Sequence, residues 1–124
     1  QVTDGAAAVV FARRSVAKKL GMPILGKFIG YTVKGCEPTL MGIGPTIAIP
    51  ALLEKHHKKI NDIDIWEINE AFASQATYCV QHLGIDFKKV NPKGGAIAFG
   101  HPLGCTGKLY IIKAQDKLLH CLLN

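Results

Sequence analysis

Two short stretches hold the side chains best suited to chemistry. His101 stands between Gly100 and Pro102 and is followed by Gly104, Cys105, Thr106 and Gly107, while Asn69 and Glu70 open the run NEAFA. Glycine allows close backbone approach, and proline fixes the chain on the other side. An imidazole flanked in this way is held open at a site rather than packed in a core, and histidine is suited to proton transfer near neutral pH. A satisfied loop histidine beside a turn is the plainer alternative. The lack of packing bulk on either side favours a working one.

Asn69 follows the alternating run IDIWEI and precedes an apolar helical pattern. Ligands of α/β sheets bind at such junctions. An amide there can hold a water or a carbonyl oxygen, while the helix N-terminus favours developing negative charge. N-capping alone also accounts for an asparagine, and on the residues alone it is the stronger reading. Glu70 is either an ordinary first-turn acid or a hydrogen-bond partner of the glycine loop. Cys105 has the chemistry of a nucleophile, but a small buried thiol fits its neighbours equally well. Met41 either lines an acyl pocket or fills a core gap, the second being the usual role. His56, His57, His82 and His120 sit beside lysines or on polar helix faces and read as solvated.

The elements that must carry these residues follow from periodicity and breakers. Residues 6–12 form a helix turn or a buried strand, which periodicity cannot separate. Ser15 caps a short helix closed by Gly21 and Pro23. Residues 24–33 (ILGKFIGYTV) and 63–68 read as strands. Pro45 suits the first turn of a helix reaching about Lys58, with Pro50 imposing a kink or a register shift. Asn69 caps a helix over residues 71–83 that Gly84 ends. Residues 91–107 form a glycine-rich loop. A last helix over 109–122 places Ile112, Leu118, Leu119 and Leu122 near one face. The alternation of strands and helices points to an α/β fold. No repeat or linker divides the chain.

The 124 residues are 48% hydrophobic and 19% charged, which supports one globular domain with a real core. A formal charge of +6 is compatible with nucleic acid, an acidic membrane surface or a phosphorylated ligand. The one basic cluster, residues 55–59, has no interleaved aromatics, which argues against nucleic acid. The four cysteines Cys36, Cys79, Cys105 and Cys121 form no C-x-x-C pair. That is reduced usage, and it argues against a disulfide framework or a metal site. There is no apolar run of spanning length and no cleavable signal. The chain opens at Gln1 without an initiator methionine, so a longer parent is expected.

Asn69-Glu70-Ala71-Phe72-Ala73, residues 91–107 with their GHPLGCTG core, and Met41-Gly42-Ile43-Gly44-Pro45 together resemble the C-terminal part of the thiolases. Within that family the likeness is to the peroxisomal 3-ketoacyl-CoA thiolases, or acetyl-CoA acyltransferases, and it runs from Gln1 to about Gly107. It implies an α/β thiolase-like C-terminal domain, a mixed sheet with helices on its faces, incomplete at the C-terminus. Residues 1–25 would end the N-terminal domain, and residues 26–124 would form a truncated C-terminal domain. The implied activity is thiolytic cleavage of 3-ketoacyl-CoA to acetyl-CoA and a shortened acyl-CoA in fatty-acid β-oxidation. Coenzyme A is then a substrate, and no cofactor or metal is needed. The resemblance gives His101 the task of activating a cysteine nucleophile and helping to bind a thioester oxygen. It gives Asn69 a water in the same oxyanion hole. Met41, Ala71 and Phe72 would line the acyl or pantetheine end of the substrate, with Gly100, Pro102 and Gly104 supporting the loop. A peroxisomal location is implied, with a mitochondrial relative as the alternative. So is a homodimer in the full-length enzyme, with no nucleic-acid partner and no membrane insertion.

Thiolases carry the nucleophilic cysteine in an N-terminal half and a second cysteine in a C-x-G loop. The C-x-G spacing occurs here only at Cys105-Thr106-Gly107, inside the histidine loop itself and not in a separate loop, and Cys36 and Cys105 match neither position. After Gly107 the sequence drifts from the family pattern. The expectation is a segment that is inactive alone, with exposed strand edges and apolar helix faces acting as association surfaces. The alternative is a non-catalytic thiolase-like protein that binds acyl-CoA or a thiolase subunit. An unrelated nucleic-acid module ranks behind both.

Overall fold

The computed structural model describes the backbone of residues 2–122 and the side chains of residues 2–114. Among the described residues there are five α-helices: α1 (Arg14–Lys19), α2 (Gly44–Lys55), α3 (Ala73–His82), α4 (Ala96–Phe99) and α5 (Leu103–Leu122). Short 3-10 turns cover Pro38–Ile43, Ile60–Asp62 and Phe87–Lys89. The described residues separate into two compact units, residues 2–3 with 30–101, and residues 4–29 with 102–122.

The first unit is built on a core of Trp66, Ile68, Val80 and Ile85, with Ile49 and Leu53 of α2 and Val90 packed against it. Trp66 and Ile68 share one face of the alternating run, as period-two patterning requires. The expected strands are not assigned at residues 24–33 or 63–68. Among the described residues the one β-pairing is an isolated parallel bridge between Trp66 and Val90. Alternation reports which side chains point inward. It does not report whether a neighbour supplies the ladder that makes a strand. The small-residue run over 6–12 is likewise neither helix nor strand.

Helix ends follow local chemistry. In α3 the Ile85 amide donates to the Val80 carbonyl at 3.0 Å, with Gly84 at φ 65, and Gly21 (φ 64) closes α1 in the same way. At the end of α2 the left-handed residue is His57 (φ 51), and the Lys58 amide donates to the Leu53 carbonyl. The helix therefore stops at Lys55, three residues before the expected end, at a terminator that carries no glycine signal. It runs through Pro50 without interruption. α1 begins after Arg13, so Ser15 lies inside it and caps nothing. α3 begins after Phe72, so Asn69 is not its N-cap.

In the second unit Ala17 and Cys105 are buried, and Phe11 meets Phe28 edge to face at 5.5 Å. Val10, Phe11, Leu20, Phe28 and Ile29 remain exposed. α5 starts at Leu103, six residues before the expected start. The Pro102 carbonyl accepts the Cys105 and Thr106 amides and the buried Thr106 hydroxyl. This nucleates the helix through a stretch whose glycines suggest a loop. Leu118, Leu119, Leu122, His120 and Cys121 lie outside the residues whose side chains are described.

Candidate functional site

The site is assembled from the segment after Trp66 and the segment after Val90. Trp66 donates its amide to the Lys89 carbonyl at 2.8 Å and accepts the Asn91 amide at 2.7 Å. Pro92 follows and has no N–H to continue this pairing. The Asn91 side chain takes over. Its Oδ1 accepts the Ile68 amide at 2.9 Å, and its Nδ2 donates to the Ile68 carbonyl at 2.8 Å. Asn91 is buried and sits at φ 44, a left-handed conformation that asparagine tolerates better than most residues.

Glu70 extends this network. Its Oε1 accepts from Asn91 Nδ2 at 2.8 Å, and its Oε2 accepts the Ile97 amide, in the first turn of α4, at 3.0 Å. Of its two sequence readings, the structure selects the partner of the glycine loop. Gly95 is where this matters most, because a Cβ there would overlap the Glu70 carboxylate. α4 is a single turn that the sequence pattern does not announce. It ends at Gly100 (φ 96), packed so closely on Thr3 that a Cβ would collide with it. The next residue is His101.

Asn69 Nδ2 lies 3.5 Å from His101 Nε2, and both side chains are half-buried. Two polar groups separated by 32 residues in sequence thus share one locality. The amide can donate to a lone pair of the neutral ring or, jointly with it, to an oxygen placed between them.

The other expected residues are distributed as follows. Met41 lies in the 3-10 turn Pro38–Ile43, 71% exposed. That turn is held to α3 where the Cys79 thiol meets the Gly42 carbonyl at 3.4 Å. Phe72, at the start of α3, is 66% exposed, and Ala71 is exposed beside it. Pro102 is buried at the start of α5, whereas Gly104 is exposed with open space around it. Cys105 and Cys79 are buried, and Cys36 is half-buried. A cleft of about 180 Å³ opens beside Glu70 and Asn91, lined also by Ala73, Ala76, Val80 and Ile97. Asn69 and His101 do not line it. Among the described residues no group of three or more His, Cys, Asp or Glu converges as metal ligands, and no helix is long and apolar enough to cross a membrane.

Asn91 and Gly95 are the positions that sequence reasoning passed over. The available signal was the Asn-Pro step itself, where a side-chain amide must replace a missing backbone donor.

Residues 22–120 match the family model of the thiolase C-terminal domain, so the likeness continues beyond the expected limit near residue 107. The chain is 62% identical to peroxisomal 3-ketoacyl-CoA thiolase B of Rattus norvegicus over 118 residues, which is 95% of this chain and 28% of that protein. The chain therefore spans little more than a quarter of the relative's length. The peroxisomal 3-ketoacyl-CoA thiolase of Saccharomyces cerevisiae superposes with a TM-score of 0.84 at 55% identity, covering 86% of this chain and 31% of the yeast one. That enzyme is described as five-layered, α-β-α-β-α, from two core domains of identical topology, and a second structure of it as dimeric (TM-score 0.80, 55% identity, 85% and 27% covered). Human mitochondrial 3-ketoacyl-CoA thiolase in complex with CoA superposes at a TM-score of 0.82 and 40% identity, covering 86% of this chain and 27% of that one.

Proposed function

We propose, from the premise that this chain belongs to the thiolase family through its C-terminal domain, that it supplies the histidine–asparagine half of an acyl-CoA thiolysis site. The observation that carries this reading is the 3.5 Å approach of Asn69 Nδ2 to His101 Nε2. Thiolysis needs a base to make a thiolate and fixed donors where a thioester oxygen gathers negative charge. His101 is the base and also faces the oxygen. Asn69 holds a water that donates to the same oxygen. Met41, Ala71 and Phe72, exposed near the start of α3 and on the turn packed against it, contact the acyl or pantetheine end of the substrate. Gly100, Pro102 and Gly104 shape the loop.

The reaction in the complete enzyme is cleavage of 3-ketoacyl-CoA by coenzyme A in fatty-acid β-oxidation, giving acetyl-CoA and a shortened acyl-CoA. The complete enzyme is a peroxisomal homodimer, in keeping with relatives named for that compartment and with the dimeric yeast structure. Coenzyme A is a substrate, as a neighbour solved with CoA suggests. The mixed sheet belongs to that larger assembly, where residues 1–25 close the N-terminal domain and residues 26–124 belong to the C-terminal one.

The test is a chimera in which residues 1–107 replace the matching segment of the rat relative. Thiolysis, followed as loss of 3-ketoacyl-CoA enolate absorbance, is expected in the chimera and is abolished by His101→Ala. The 124 residues alone are expected to give no turnover, because no recognised nucleophile is among them and Cys105, which belongs to the histidine loop, does not match the family's second cysteine. A folded chimera without activity, or one indifferent to His101→Ala, refutes the proposal. So does His101-dependent turnover by the isolated chain.

A further inference from the structure

We infer that Glu70 is a positioning residue that sets the separation of Asn69 and His101. The inference rests on the thiolysis reading for its purpose and on geometry alone for its substance. Residues 66 and 68 are buried on one face of their segment, and residue 70 has the same parity. A carboxylate therefore occupies a core-side register that would ordinarily take an apolar side chain. It is held there by two donors, Asn91 Nδ2 at 2.8 Å and the Ile97 amide at 3.0 Å. The carboxylate is half-buried, and both of its oxygens are satisfied.

The two bonds lead to opposite sides of the site. Glu70 is covalently next to Asn69, so its backbone moves with that amide. Its Oε2 grips Ile97, and the single turn of α4 with Gly100 carries that grip to His101, four residues on. The only backbone able to come this close to the carboxylate is glycine, and residue 95 is glycine. Glutamate is required by length and by valence. Aspartate is one methylene short. Glutamine presents a donor toward either Asn91 Nδ2 or the Ile97 amide and loses one of the two bonds.

The test uses the 124-residue chain and two variants, Glu70→Gln and Gly95→Ala. The second displaces the carboxylate without altering it. The readouts are the nuclear Overhauser contact between the Asn69 side-chain amide and the His101 ring, the Ile97 amide shift, and the Val80 methyl signals of the core. Expected in both variants are loss of the 69–101 contact and an upfield Ile97 amide, with the Val80 signals unmoved. In the active chimera Glu70→Gln is expected to lower kcat on the order of 10²-fold with KM held, as for a misplacement of about 1 Å. Retention of the 69–101 contact in either variant overturns the inference. Its loss together with the core signals also overturns it, because Glu70 is then a general structural residue. An unchanged kcat in the chimera overturns it as well. A chimera inactive before any change at residue 70 refutes the thiolysis reading instead, and the resonance data still decide the geometry.

Discussion

Replacing Asn91 by alanine removes three side-chain hydrogen bonds and adds backbone strain at one step. The Ile68 amide and carbonyl, within a residue only 5% exposed, lose their partners at 2.9 and 2.8 Å. An abandoned buried polar group costs about 1–3 kcal/mol. Alanine at φ 44 adds about 1 kcal/mol that asparagine largely escapes. The bond to Glu70 is half-exposed and contributes less. The expected loss is about 3–5 kcal/mol, set against an ordinary total of about 5–15 kcal/mol. Asn91→Gly drops the same bonds without the strain and is expected to recover about 1 kcal/mol. Urea unfolding followed by fluorescence of Trp66, the sole tryptophan, measures both, because Trp66 accepts the residue 91 amide. A midpoint for Asn91→Ala equivalent to a loss under about 0.5 kcal/mol would refute the reasoning, since that is the scale of an ordinary surface substitution. So would glycine proving worse than alanine, because it would mean that residue 91 is not held in the left-handed region.

Val80, 1% exposed at the centre of the first unit's core, loses two methyl groups in Val80→Ala. About 2 kcal/mol of destabilisation is expected by the same urea titration, and a value near zero would show that the core does not close there. Gly100→Ala meets both the φ of 96 and the Thr3 side chain, so a loss of about 2 kcal/mol or more is expected together with displaced His101 ring resonances. In a Cys121→Ser background, an aromatic disulfide reagent is expected to modify Cys36 rapidly while Cys79 and Cys105 stay protected until denaturant is added. Fast modification of a second thiol would contradict the burial of those two side chains.

The proximity of two polar side chains was more legible in this chain than its architecture. A histidine between glycine and proline, and an asparagine after an apolar alternation, are signals of residue type, and these two side chains do meet. Helix ends were legible where glycine supplies the left-handed residue, as at Gly21 and Gly84, and illegible where His57 does. The start of α5 was hidden because Gly104 and Gly107 suggest a loop, while the deciding contact is a hydroxyl bond from Thr106 back to Pro102. The strands were over-read for a related reason. Alternation over residues 63–68 correctly placed Trp66 and Ile68 inward, but pairing depends on which segment lies alongside. No local pattern in residues 24–33 carries that information.

The adjacent pair Asn69-Glu70 joins these threads. Consecutive residues of an extended segment face opposite ways, so one inward-facing series, residues 66, 68 and 70, fixes where residue 69 must point. The core thereby aims Asn69 without touching it. The cost is a carboxylate on the inner side at residue 70, and that carboxylate becomes the tie to Asn91 and α4. An apolar residue at position 70 would satisfy the parity equally well and would leave the Ile97 amide without its acceptor. His101 would then lose the tie that reaches it through α4. On the proposed reading, glutamate beside asparagine is a matter of mechanics, with one residue presenting the donor and its neighbour holding the distance.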